Sequence, residues 1–266
     1  PWIVDHVPSL NGRLEVTQFS GGASNWTYRL KFDSNEVILR RAPLGAKAGG
    51  AHNMPREFNL QRQLRPVYPY VPKMIALCED EGLLGSAFYI MEKLEGIIPR
   101  KNMPLGMEWQ KEQVKDICQS FWDKLIQLHQ VDYEKEGLDT LGKGTGYIER
   151  QITGWNKRYS NAITWNVLSG KKVMKWLEQN MPPENKLCIV HNDFRLDNVV
   201  LDTNNPRNIL GVLDWELAAI GDPLMDLGNS MAYWIQMDDD FFIKSLRRQP
   251  SNLNGMMTRN EVISYY

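Results

Sequence analysis

Along the first third of the chain, apolar and polar positions alternate in short runs: Val16-Thr17-Gln18-Phe19, Trp26-Thr27-Tyr28-Arg29-Leu30 and Glu36-Val37-Ile38-Leu39-Arg40. Each run is rich in β-branched or aromatic residues, and Gly21-Gly22 and Asp33-Ser34-Asn35 separate them, which predicts a β-meander. A helix is expected next, with Pro55 near its first turn and Glu57, Phe58, Leu60 and Leu64 along it. Two further strands, Lys73 to Leu77 and Ala87 to Met91, are joined across the acidic turn Asp80-Glu81-Gly82. The pattern therefore predicts a five-stranded sheet with one helix.

Beyond Glu95-Gly96 the period changes. Val114, Ile117, Cys118, Phe121, Trp122, Leu125 and Leu128 fall on one face of a helix, and most of the remaining chain reads as helical. Two short apolar segments, Leu187 to Val190 and Ile209 to Leu213, interrupt the helices, and each runs directly into an acidic cluster. No internal repeat is found. The expected fold class is α+β: a small antiparallel β lobe over residues 1–94, a hinge at about 92–96, and a larger, mainly helical lobe over 95–266.

Composition removes several classes of function. The formal net charge of -1 gives no hint of a nucleic-acid groove or a membrane-surface patch, so any selectivity is expected from local charge. The three cysteines, Cys78, Cys118 and Cys188, lie far apart with no C-x-x-C spacing, which argues against a disulfide framework or a structural zinc site. No run approaches the roughly 18 to 20 apolar residues of a membrane span, and no signal-peptide layout opens the chain. A soluble, cytoplasmic protein is expected, in which the sequon Asn25-Trp26-Thr27 is a polar loop. The sequence starts at Pro1 and stops within an expected helix, Glu261 to Tyr266, so it reads as a fragment with a truncated helical lobe.

The chemistry concentrates in His191-Asn192-Asp193-Phe194-Arg195-Leu196-Asp197-Asn198 and in Asp214, each following a short apolar strand. Moving a γ-phosphoryl group takes a base or orienter for the attacking hydroxyl, metal ligands and positive charge. Asp193 suits the base, Arg195 a phosphate clamp, and Asn198 and Asp214 are oxygen ligands of the kind Mg²⁺ prefers. The order H-x-D, four residues, N, then strand and D is that of kinase catalytic loops; two solvated polar turns are the bland alternative. His191 reads as a structural brace more than a proton carrier. Upstream, Gly21, Gly22 and Ser24 could present N–H groups and a hydroxyl to phosphate, although a plain hairpin turn explains them nearly as well. Arg40 and Glu57 are candidates for the ion pair between strand and helix, with Arg41 and Arg56 as near alternatives.

Taken with Phe19 to Asn25, Val37 to Pro43, Ala51-His52, Arg56-Glu57, Gly146 to Gln151, Leu213 to Glu216 and Gly221 to Leu227, the chain resembles the aminoglycoside phosphotransferase and choline kinase superfamily. Within it, the likeness is greatest to the kinase domains related to those fused to acyl-CoA dehydrogenases. That resemblance implies a bilobal protein-kinase-like fold and ATP in the cleft between the lobes, with adenine held by the backbone around Glu92 to Leu94. It also implies Asp193 as base, Mg²⁺ on Asn198 and Asp214, and Asp222 and Asp226 as braces. A fused or partner acyl-CoA dehydrogenase domain is implied as well.

The acceptor is expected to be a hydroxyl of a small molecule. Lys143, Arg150, Lys157 and Arg158 against Glu149 point to an anionic one, such as a hydroxyacyl-CoA; a solvated basic face is the alternative. An aminoglycoside or choline-type kinase and a catalytically silent nucleotide-binding module stand as competing readings. A protein kinase is disfavoured because Asp214-Trp215-Glu216 lies too close to Gly221-Asp222-Pro223 to admit a long activation loop.

Overall fold

The computed structural model describes residues 2–19, 24–33, 35–45, 52–103 and 107–266. A short helix, α1 (Trp2–His6), precedes strands β1 (Glu15–Gln18), β2 (Trp26–Lys31) and β3 (Glu36–Arg41). Helix α2 (Met54–Leu64), strand β4 (Met74–Cys78), the single-turn helix α3 (Glu81–Leu84) and strand β5 (Phe88–Glu92) complete the N-terminal lobe. The five strands pair antiparallel in the order β1-β2-β3-β5-β4. The predicted sheet is present, and α1 and α3 add to the one helix expected. In place of a plain turn, Asp80 accepts from the Gly82 N–H at 2.8 Å and Gly85, at φ 76°, closes a helical turn.

Strand alternation sets which side chains reach the cleft. Val37 and Leu39 pack with Leu30, Phe88 and Ile90 on one face of the sheet, and Ile38 packs with Met54, Phe58 and Tyr89 beneath α2 on the other. Arg40 follows Ile38 to the α2 face, whereas Arg41 turns to the opposite face over the Trp26 ring. Helix α2 starts where the Asn53 side chain accepts from the Arg56 N–H at 3.0 Å, with Pro55 in its first turn.

The second lobe contains α4 (Lys111–His129), α5 (Tyr147–Ala162), α6 (Lys171–Gln179), β6 (Cys188–Val190), β7 (Val199–Leu201), β8 (Ile209–Val212), β9 (Ala219–Gly221), α7 (Pro223–Ala232), α8 (Phe241–Ser245) and α9 (Arg259–Tyr265). Strand β6 pairs with β9, and β7 with β8. The connection from β5 enters this lobe by exchanging two backbone hydrogen bonds of 2.8 Å between Ile97 and Leu201. A Cβ on Gly96 would lie 2.3 Å from the Leu201 carbonyl oxygen, so this close approach requires glycine.

The apolar stripe of α4 is buried as its spacing predicts. Phe121 from that stripe stacks on Trp234 and meets Phe194 at a ring separation of 4.6 Å. Phe194 is almost fully buried. Burying its phenyl ring contributes roughly 1.5–3 kcal/mol and fastens the loop after β6 to the core. Among the described residues, no helix is long and apolar enough to cross a membrane.

Candidate active site

Strand β6 delivers the chain to His191, which is fully buried. Its Nδ1 faces the Asp193 N–H at 3.2 Å and its Nε2 faces the Leu213 carbonyl at 3.0 Å. An amide N–H only donates and a carbonyl only accepts, so the ring is the neutral tautomer with its proton on Nε2. It braces the segment carrying Asp193 against the one carrying Asp214. Asn192 sits at φ 63°. Its conformation is held by the Tyr147 hydroxyl at 2.9 Å, by its own amide donating to the Leu217 carbonyl, and by Asn229 donating to its carbonyl. Beneath the turn, the buried Asp226 carboxylate accepts from the N–H groups of His191 at 2.6 Å and Asn192 at 2.8 Å, and His129 lies 3.1 Å away. Asp222 caps α7 by accepting from Leu224 and Met225.

Five residues beyond Asp193, Asn198 donates from Nδ2 to the Asp193 carboxylate and to the Asp193 carbonyl, each at 2.9 Å. Its Oδ1 has no hydrogen-bond partner among the described residues. The Asn198 carbonyl accepts from Leu213 at 2.7 Å, which sets Asn198 beside Asp214. Asp214 has φ 68°, a left-handed conformation costing on the order of 1 kcal/mol for a non-glycine residue. Burial raises the Asp193 pKa, and the nearby Arg195 charge only partly offsets it. Asp193 is therefore a better proton acceptor than a solvated carboxylate.

Arg195, expected as a phosphate clamp, lies against its own loop. Its Nη2 lies 3.4 Å from Asp193 and its Nε 3.1 Å from Asp197, and the guanidinium stacks over Tyr233 at 4.9 Å. Its charge is shared by two carboxylates of its own loop.

From the other lobe, Arg40 bonds Asp214 and, at 2.9 Å, Glu216, while its Nε stands 3.7 Å from Glu57. Burial works against this guanidinium, but Glu57 and Asp214 outweigh it and hold Arg40 protonated. Glu57 accepts from the Tyr89 hydroxyl at 2.9 Å. Its burial pushes its pKa up to about 7, and Arg40 only partly compensates because the contact lacks hydrogen-bond geometry. Of the three arginines considered from sequence, only Arg40 joins Glu57 and Asp214. Arg41 donates to the Ala42 carbonyl and Arg56 to the Ala218 carbonyl.

Gly21 and Gly22 lie outside the described residues. The Ser24 hydroxyl bonds Glu216, as does Asn25 at 2.7 Å, and His52 lies 3.0 Å from the Asn25 amide oxygen. In the segment expected to be the hinge, the Glu92 side chain accepts from Arg65 and from the Lys73 N–H. Leu94 packs over Gly211, and its backbone N–H and C=O have no partner among the described residues. In the basic stretch, Tyr147 touches the loop, whereas Arg150 turns back on the Gly144 and Thr145 carbonyls and Arg158 stacks on Trp155.

Sequence reasoning missed Gln249, whose side chain accepts from the Leu196 N–H at 2.6 Å. No local pattern marks it. Asn25 and His52 lie inside segments that carry the family resemblance, yet spacing alone assigns them no role. Among the described residues, no group of three or more His, Cys, Asp or Glu could hold a metal. The Asp214 carboxylate and the Asn198 amide oxygen could supply hard oxygen donors to a metal. Such a sparse hard-donor set fits Mg²⁺, which keeps its waters and uses one or two protein oxygens together with substrate phosphates.

Residues 15–258 match the model of the phosphotransferase enzyme family. The chain belongs to that family. Mouse (Mus musculus) acyl-CoA dehydrogenase family member 10 is 33% identical to this phosphotransferase over 256 residues, which are 96% of this chain and 24% of the relative. The chain thus spans about a quarter of that curated relative's length. A Ralstonia eutropha structure assigned as an aminoglycoside phosphotransferase is 32% identical, with a TM-score of 0.79, over all of this chain and 77% of its own. A thermostable mutant of aminoglycoside phosphotransferase APH(4)-Ia, in ternary complex with AMP-PNP and hygromycin B, shares the fold at a TM-score of 0.59 and 16% identity, covering 88% of this chain and 75% of its own. The bilobal protein-kinase-like fold and the class of enzyme, a phosphotransferase, follow from these matches.

Proposed function

We propose that this phosphotransferase is an ATP- and Mg²⁺-dependent small-molecule kinase. The observation that carries this reading is the position of Asn198, whose amide nitrogen is bound to Asp193 while its carbonyl secures the residue before Asp214. This arrangement supports a base and metal donors lying side by side. In this reading Asp193 accepts the proton of the acceptor hydroxyl, and Asn198 and Asp214 would hold the ion. When bound, Mg²⁺ supplies charge neutralisation at the phosphates. Arg40 is the buried cation facing them, and the unpaired backbone of Leu94 suits the edge of an adenine ring. Arg195 keeps Asp193 oriented and limits the rise in its pKa.

The acceptor we propose is a hydroxylated acyl thioester such as a hydroxyacyl-CoA, and the natural partner an acyl-CoA dehydrogenase domain. Similarity to an acyl-CoA dehydrogenase family member supports both. The test is a panel of hydroxyacyl thioesters, choline and aminoglycosides incubated with protein, ATP and Mg²⁺, with products read by mass spectrometry. Phosphorylated hydroxyacyl thioester is expected. Turnover of an aminoglycoside alone would overturn the acceptor, and ATP binding without transfer to any hydroxyl would favour a silent module.

A further inference from the structure

Two segments far apart in sequence meet at the outer side of the catalytic loop. The chain leaving the hinge runs along β7 through the Ile97–Leu201 pair. It then meets the stretch after α8: Lys101 Nζ donates to the Ser245 carbonyl at 3.2 Å, and Arg247 donates to the Asn102 side chain at 2.6 Å. Gln249, just beyond, holds the Leu196 N–H of the catalytic loop. Arg100, Lys101, Arg247 and Arg248 are thus gathered beside the loop, and all but Arg247 are exposed.

None of these four cations forms an ion pair with a described residue, and every Asp and Glu of the chain is described. The charges of Arg100 and Arg248 reach Asp197, a carboxylate of the same loop. Arg195 already lies 3.1 Å from that carboxylate. In a chain whose net charge is -1, four unneutralised cations in two short stretches repel one another unless an external anion joins them. Three are arginines, whose planar forks match phosphate oxygens. A lone carboxylate would occupy one fork; several phosphate charges would engage the whole strip.

We infer that Arg100, Lys101, Arg247 and Arg248 form a subsite for a phosphate-bearing tail of the acceptor, held apart from the reacting hydroxyl. This rests on the kinase reading and deepens it. The nucleotide side of the cleft is organised by Arg40, Asp214 and Leu94, whereas the strip lies on the side to which Arg195 and Asp197 turn, next to Tyr233 and Gln249. A tail lying there would hold the acceptor in the cleft by charge while its hydroxyl reaches Asp193. The basic stretch 143–158, singled out from sequence, is not needed for this.

The test is titration calorimetry with coenzyme A as probe, in the presence of saturating AMP-PNP. Coenzyme A is expected to bind alongside the nucleotide, with affinity falling as salt rises. The double variants R100A/K101A and R247A/R248A should each weaken it roughly tenfold or more, with R247K/R248K restoring most of the loss, and AMP-PNP affinity should stay unchanged. Displacement of coenzyme A by AMP-PNP, or unchanged affinity in both alanine variants, would overturn the subsite. Two outcomes separate it from the kinase reading. Strip-dependent coenzyme A binding with no transfer to any acceptor would sustain the subsite and overturn the kinase. Turnover of a hydroxyacyl-CoA with KM unmoved by the variants would do the reverse.

Discussion

Asn198 donates to the Asp193 carboxylate at 2.9 Å, and its own carbonyl fixes Leu213 at 2.7 Å. One side chain and one carbonyl therefore set the separation between the proposed base and the proposed metal carboxylate. Because Arg40 reaches Asp214 from the sheet, the same few atoms also join the two lobes.

Replacing Asp193 with Asn removes the proton acceptor while keeping the size and a hydrogen-bond partner for Asn198. We expect turnover to fall by about 10²- to 10⁴-fold, with AMP-PNP affinity largely retained, since a general base acts mainly in the transition state. Steady-state kinetics together with calorimetry check this prediction. Unchanged turnover would remove Asp193 from the chemistry.

Glu57 is buried, and its pKa is raised to about 7 from an ordinary value of 4.5. The folded state then binds more protons than the unfolded chain between these values, so stability falls as pH rises through that window. The effect should be about 1–3 kcal/mol between pH 5 and 7.5, and Glu57→Gln, which cannot ionise, should flatten it. Urea denaturation of both proteins across this range is the measurement. An identical pH slope in the two would contradict the assignment.

Asp226 accepts from the N–H groups of His191, which is buried, and Asn192, which is part-buried, in the turn after β6, and it faces His129. Asp226→Ala leaves these donors unpaired and should cost about 2–5 kcal/mol. Thermal unfolding would show it, and a loss under about 1 kcal/mol would mean that water replaces the carboxylate.

At Gly96 a methyl group would press into the Leu201 carbonyl and Val200. Backbone crowds this position, so Gly96→Ala must move the segment linking β5 to the second lobe, and about 1–3 kcal/mol of destabilisation with weaker nucleotide binding is expected. Differential scanning fluorimetry with and without AMP-PNP tests both parts. A variant with unaltered melting and unaltered nucleotide response would show that this segment yields freely.

Much of this is legible in the chain because the decisive features are local. The run from His191 to Asn198 places brace, proposed base and amide in eight consecutive residues, so their meeting needs no knowledge of the rest of the fold. Strand alternation and the α4 stripe are likewise local periodicities set by backbone geometry, and they appear where expected. The helical turn at α3 escapes such reasoning because Asp80 and Gly85 support a cap as readily as a hairpin.

Tertiary structure alone decided the long-range choices. The sheet order placing β5 beside β3, the selection of Arg40 over Arg41 and Arg56, the engagement of Arg195 by Asp193 and Asp197, the Gln249 clamp and the basic strip beside the loop all depend on where distant segments pack. Spacing along a chain fixes which face a residue occupies. Which partner that face meets is set by burial and hydrogen-bond satisfaction across the whole core, and those act between residues as far apart as Arg40 and Asp214.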